Sequence, residues 1–247
     1  MTKALIHLVA VCIAATTLLL QNTIQQSSPH AALGDPVRRE QFIRRAGYDV
    51  LYDGLRHNPI WVQYRVTPDD LIPKVARPLH FSVDRMLPVA WRAYDIDYDH
   101  SGYDRGHMAP EADMRRNADV ADSAMLLSNV CPQSPELNRN AWRDIEAVVR
   151  GLAAECEETI VITGPVFSST HCAIGLDSGI VVPGAFWKAA AFRNGIGWRV
   201  RCWVAGQSGG SLAPDRLVVP QTVCEQLSGF ELFSELKRTR EAKATLE

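Results

Sequence analysis

Between residues 135 and 154 the apolar side chains Leu137, Ala141, Trp142, Ile145, Val148, Val149 and Leu152 keep helical spacing, and no other segment shows a helix as clearly. Almost every other apolar stretch has strand character. Residues 60–67 (Ile-Trp-Val-Gln-Tyr-Arg-Val-Thr) are rich in β-branched and aromatic side chains and are bracketed by Pro59 and Pro68. Residues 159–163 (Thr-Ile-Val-Ile-Thr) read as a buried strand ending at Gly164-Pro165, residues 180–182 and 186–192 as strands around a Pro-Gly turn, and residues 198–205 as another. A further strand is expected over residues 124–130, and a last helix over residues 221–227 before Gly229. Residues 69–101 carry scattered acids and prolines with no sustained period, and residues 36–45 read as a basic linker or short helix. Strands and helices mix without regular βαβ alternation, so the expected class is α+β and not a doubly wound sheet.

The chain opens differently. Lys3 precedes a nearly continuous apolar run over residues 4–20, and a polar stretch over residues 21–30 follows. That order is the pattern of an export signal. No clean Ala-x-Ala site follows, and seventeen residues are at the short edge of a bilayer span. Two fates therefore stay open: a cleaved signal with the product periplasmic or secreted, or an uncleaved signal anchor that associates with the membrane. The expected organisation is a signal segment over 1–30, a linker over 31–47 and one folded domain over 48–247.

Composition bears on partners and on redox chemistry. With 47% hydrophobic residues the chain can bury a sizeable core, and its formal charge of −2 gives no hint of a polyanionic partner. Contact with nucleic acid would need a local basic site. Cys12 falls inside the apolar run; Cys131, Cys156, Cys172, Cys202 and Cys224 form no Cys-x-x-Cys pair, which argues against a zinc knuckle. In an oxidising compartment one or two disulfides are expected with at least one thiol left over, in pairings that the sequence leaves open.

Two segments carry chemistry. In Tyr103-Asp104-Arg105-Gly106-His107-Met108-Ala109-Pro110, an extended backbone would turn Arg105 and His107 to one face. A histidine can take a proton from water near neutral pH, an arginine can hold phosphate oxygens in a bidentate fork, and Gly106 permits close approach. Taken alone, such a histidine is more often structural. The second segment is Ser128-Asn129 followed by Leu137-Asn138-Arg139-Asn140-Ala141-Trp142 and Glu146. Asn138, Trp142 and Glu146 at i, i+4 and i+8 are expected on one side of the helix, where an amide and a carboxylate can serve a hard cation such as magnesium. The plainer reading is a helix cap at Asn138 and a solvated Glu146.

Together these segments resemble the DNA/RNA non-specific endonuclease family, whose signature is Asp-Arg-Gly-His, then Asn, then a Leu-Asn-x-x-Ala-Trp helix with a later Glu. The resemblance continues through Asn58-Pro59, Trp61-Val62, Thr163-Gly164-Pro165 and Val182-Pro183-Gly184-Ala185-Phe186-Trp187-Lys188, and spans about residues 48–236. It implies a ββα-metal core within a mixed, mainly antiparallel sheet flanked by helices. It implies His107 as general base, Asn138 as the direct ligand of Mg2+ (with Mn2+ as a substitute), and Arg105 and Glu146 as assisting residues, Glu146 through metal-bound water. Asn129 matches a residue that supports the site by hydrogen bonding, and Arg77 a phosphate-binding arginine in a loosely aligned loop. Arg139 departs from the glutamine common after the metal asparagine, which leaves it either gripping phosphate or solvated. The resemblance further implies DNA and RNA as substrates, 5′-phosphate products and homodimer formation. Rival readings are a homologue that binds nucleic acid without cleaving it, a membrane-anchored DNA-uptake nuclease and, more weakly, a zinc hydrolase.

Overall fold

The computed structural model describes residues 42–236, except 169–171, 177, 196, 209 and 211. The export segment therefore lies outside the described residues. Among the described residues, no helix is long and apolar enough to cross a membrane.

Seven strands form one antiparallel sheet: β1 (Phe42–Arg44), β2 (Asp49–Asp53), β3 (Asn58–Val66), β6 (Glu158–Val166), β9 (Ala185–Asn194), β10 (Gly197–Gly206) and β11 (Val218–Val219), in the order β1-β2-β3-β6-β9-β10-β11. β4 (Asp104–His107) pairs antiparallel with β5 (Val130–Gln133), and β7 (Ala173–Ile174) with β8 (Ile180–Val181). Helix α1 covers Ala118–Ala124 and α3 covers Gln221–Ser228. Helix α2 is continuous over residues 135–154, in three parts: Pro135–Leu137, a π-helical turn Asn138–Trp142, and Arg143–Ala154.

The central sheet is buried on both faces, which accounts for its unbroken apolar runs. Along β9, Phe186, Ala190 and Phe192 join the core beneath α2, whereas Trp187, Ala189 and Ala191 join the core that includes Cys224 of α3. Strand periodicity puts Lys188 on the α2 side with Phe186 and Ala190. From α2, Trp142, Ile145 and Val149 fill the first core; the Trp142 and Phe186 rings lie 5.6 Å apart and tilted by 55°. Truncating a buried tryptophan of this kind to alanine costs about 3–5 kcal/mol.

Three expectations are corrected. Residues 42–44 are an edge strand paired with β2, so the linker does not extend to residue 47. Residues 124–130 are not a strand: α1 ends there, a 3-10 turn follows at Leu127–Asn129, and β5 starts only at Val130. Among the described residues, Cys131, Cys156, Cys172, Cys202 and Cys224 are all free thiols, so no disulfide stands where one or two were expected.

Candidate active site

β4, β5 and α2 build the site as a ββα unit. β5 leads directly into α2, which Ser134 caps: its Oγ accepts from the Leu137 N–H at 3.2 Å, and Pro135 occupies the first helical position. Gln207 holds this start from outside, because its Oε1 accepts from the Ser134 N–H at 2.7 Å and its backbone oxygen from Ser134 Oγ at 2.5 Å. Nearby, the Ala141 N–H donates to the Gly210 carbonyl at 3.2 Å. That donor would otherwise serve an α-helical bond, and its diversion accounts for the π turn. A Cβ on Gly210 would come within 2.3 Å of the Glu136 carbonyl oxygen, so only glycine allows this approach.

The π turn aligns two site residues. Eight regular α-helical steps from Asn138 to Glu146 would rotate about 800°, leaving the two side chains about 80° apart. Absorbing one residue in the wide turn leaves about 700°, or about 20° apart. The i, i+8 spacing by itself would have served less well.

The side chains expected on β4 do share a face. The Phe81 ring sits 5.1 Å from the His107 ring, and the Arg105 guanidinium carbon lies 5.9 Å from the same Phe81 ring. His107 is half-buried, and its Nε2 is buried without a hydrogen-bond partner among the described residues. Burial, assisted by the positive charge of Arg77, lowers its pKa to about 4, so the imidazole is neutral at pH 7. Its backbone oxygen accepts from Trp142 Nε1 at 3.3 Å, tying β4 to α2. The close approach that Gly106 permits is made by the core: a Cβ there would meet the buried Gln133 side chain at 2.2 Å.

Asn129 is fully buried, and its side chain hydrogen-bonds to backbone groups. Its Oδ1 accepts from the Ala109 N–H, and its Nδ2 donates to the Ala109 and Ala124 carbonyls, each at 2.9 Å. It fixes the chain just after His107 and is a positioning residue. Arg105 stacks on Tyr98 at 5.3 Å and pairs with the exposed carboxylates of Asp95 and Asp99. Arg77 reaches toward Glu111 at 3.7 Å with a side chain 59% exposed.

On α2, Asn138 Nδ2 donates to Asp104 Oδ2 at 3.0 Å, and its Oδ1 takes no hydrogen bond from the described residues. Arg139 grips the same carboxylate in a fork, with Nε 2.8 Å from Oδ2 and Nη2 2.7 Å from Oδ1. The neighbouring Arg139 and Asn138 donors outweigh burial and hold the Asp104 carboxyl below its ordinary value. Glu146 is half-buried. Burial pushes its pKa up to about 7, against the pull of Lys188 and with a push from Asp113.

Two groups near Glu146 escaped the sequence reading. Lys188 is fully buried, donates to the Met108 carbonyl at 3.4 Å and lies 6.0 Å from the centre of the Tyr64 ring. A lysine on the inward register of an otherwise apolar strand was the signal for it. Arg150 donates to the buried Asp113 at 2.6 Å and acts electrostatically on Glu146, four residues before it on the same helix; that i, i+4 acid–base spacing was its signal.

The donor chemistry can be tested against a metal. Among the described residues, no group of three or more His, Cys, Asp or Glu side chains gathers to hold an ion. A single amide oxygen at Asn138 with a carboxylate at Glu146 instead fits a hard cation that keeps most of its water.

Comparison with known proteins finds nucleases among the relatives of this chain. The chain is 34% identical over 168 residues to a mitochondrial nuclease of Saccharomyces cerevisiae, covering 62% of this chain and 49% of that protein. It is 37% identical over 128 residues to mitochondrial endonuclease G of Bos taurus, covering 51% and 43%. The chain thus spans about half the length of these relatives. A solved structure of EndoG in complex with EndoGI superposes with a TM-score of 0.78 at 25% identity, covering 83% of this chain and 90% of that one. The sequence pattern of DNA/RNA non-specific endonucleases matches residues 26–239, and the chain belongs to that family.

Proposed function

We propose that the protein is a magnesium-dependent endonuclease that hydrolyses phosphodiester bonds of DNA and RNA with little sequence preference, leaving 5′-phosphate ends. The observation that carries this reading is a His107 imidazole whose buried Nε2 has no hydrogen-bond partner among the described residues, set against the same Phe81 ring as Arg105 and on a strand joined by Asp104 to the Asn138 amide.

His107 accepts the proton of the water that attacks phosphorus, a role open to it because it is uncharged at working pH. Arg77 and Arg105 hold non-bridging phosphate oxygens as charge develops there. Arg105 must first leave Asp95 and Asp99, whose side chains are 58% and 56% exposed. The two carboxylates are screened by solvent, although the Arg105 side chain itself is 22% exposed, so a phosphate competes with them for the same guanidinium donors. Asn138 would hold the cation through Oδ1, and Glu146 would orient its water shell. When bound, the ion supplies neutralisation of phosphate charge and an acidic water for the departing 3′ oxygen. Contacts to the backbone and not to base edges account for weak sequence preference.

Lys3 and the apolar run over residues 4–20 support export, or anchoring if the segment is retained. Cell fractionation of the full chain separates those outcomes. The activity is tested by nicking of supercoiled DNA and digestion of RNA, with chelator and with added magnesium. A protein that binds both substrates and cleaves neither under any metal would be the inactive homologue.

A further inference from the structure

We infer that Asp104 and Arg139 are positioning residues that fix which end of the Asn138 amide faces the metal. The inference rests on the metal reading of Asn138 proposed above. An asparagine side chain has an oxygen at one tip and an NH2 group at the other, and a simple flip exchanges them. Only the oxygen can ligate a cation. A carboxylate accepts hydrogen bonds and cannot donate, so Asp104 Oδ2, 3.0 Å away, requires the Nδ2 end and leaves Oδ1 turned from it. That is the orientation a metal ligand needs.

For this to work Asp104 must be held still. Arg139 meets that need: its two donors lie 2.7 and 2.8 Å from the two carboxylate oxygens, a planar fork that lysine or glutamine could not reproduce. The fork also answers the question raised by Arg139 as a departure from the family's glutamine. Its guanidinium is engaged by Asp104, with one edge left toward solvent, so it is neither a free helix charge nor a free phosphate grip. Asp104 in turn is held by β4, where it pairs with Gln133 of β5. The strand that carries His107 thereby sets the orientation of a ligand on the helix.

The test is calorimetric titration of magnesium chloride into the chelator-stripped full chain, without substrate. It compares the unaltered chain with Asn138→Ala, Asp104→Asn and Arg139→Gln. Asparagine at 104 can present either an oxygen or an NH2 group, so the Asn138 flip is no longer decided; affinity should fall by about 10- to 100-fold, the usual effect of losing a partner behind a ligand. Arg139→Gln, on a side chain 67% exposed, does not threaten folding and should weaken binding by a smaller factor. In the NMR spectrum, the Asn138 side-chain NH2 signals should move in both variants.

Wild-type affinity in Asp104→Asn and Arg139→Gln, with binding lost in Asn138→Ala, would overturn the inference and leave the metal reading standing. Wild-type affinity in Arg139→Gln alone would remove Arg139 from it. If the unaltered chain binds no magnesium, or Asn138→Ala binds it equally well, the metal reading itself fails. Should Asp104→Asn lose its cooperative melting transition, Arg139→Gln carries the decision.

Discussion

The Lys188 ammonium lies 4.7 Å from the centre of the Trp142 ring, on the buried side of the helix that carries Asn138 and Glu146. Burial lowers the lysine's pKa, and the charges of Glu146 and Asp113 raise it again. Its charge is therefore tied to two buried or half-buried carboxylates. Lys188→Met should destabilise the fold by up to about 3 kcal/mol in urea unfolding at pH 8, where Glu146 is ionised, because Glu146 loses a buried cation while Asp113 keeps Arg150. Adding Glu146→Gln should recover part of that loss. Strict additivity of the two changes would show that the pair is uncoupled.

Glu146 gives the metal-free protein a pH signature. Its folded pKa is raised from the ordinary 4.5 to about 7, so ionising it is harder in the folded chain. Stability contributed by the protonated form is present below about pH 4.5 and is lost as pH rises through about 7. Glu146→Gln mimics the protonated acid. The variant should melt like the unaltered chain at pH 4 and at a higher temperature at pH 8. A difference in melting temperature that does not change between those pH values would contradict the raised pKa.

His107→Ala should lower turnover by about 10²–10⁴-fold, the usual share of general base catalysis. Circular dichroism should remain unchanged, since the partnered group at this residue is its backbone oxygen. Turnover close to that of the unaltered chain would remove the imidazole from the chemistry.

Gly106→Ala tests the packing behind the site. The new methyl would meet the Gln133 side chain, which is fully buried and has nowhere to withdraw. A loss of about 1–3 kcal/mol is expected, as for other overpacked cores, together with reduced activity from displacement of β4. Stability within about 0.5 kcal/mol of the unaltered chain would mean that Gln133 has room after all.

Substrate binding without turnover, measured in chelator, should separate two arginines. Each phosphate contact contributes about −0.9 to the slope of log affinity against log salt on duplex DNA. Arg77→Gln should lower that slope by about one unit. Arg139→Gln should leave it unchanged, because Asp104 occupies the guanidinium fork. A loss of slope in Arg139→Gln would restore Arg139 as a phosphate contact.

What could be read from the chain depended on where each segment finds its partners. Residues 159–163 announce a strand because both faces are buried, and α2 announces itself through one apolar face. Residues 124–130 are just as apolar but wrap around residue 82: the Ser82 N–H donates to the Met125 carbonyl, and the Leu127 N–H donates to the Ser82 carbonyl, each at 2.9 Å. No local pattern encodes a partner more than forty residues away. Residues 42–44 were hidden because an edge strand needs little apolar character. At the site, His107, Asn138 and Glu146 stand out through their motif, whereas the fork between Asp104 and Arg139 joins residues 35 apart and needed the fold.

The π turn in α2 has a consequence for how chains of this kind can vary in length. A regular helix couples residue count to direction, so one inserted residue swings everything beyond it by about 100°. A wide turn uncouples the two, since it takes up a residue while the helix on either side keeps its heading. Between Asn138 and Glu146 the quantity under constraint is thus the shared heading and not the number of residues. A chain lacking Asn140 could run straight through as an α-helix and still present both side chains on one face. It would forfeit only the bond from Ala141 to the Gly210 carbonyl, and with it the need for glycine in that distant loop. A one-residue gap at this point would mark two solutions to the same geometric problem, and the residue found at position 210 would tell which had been adopted.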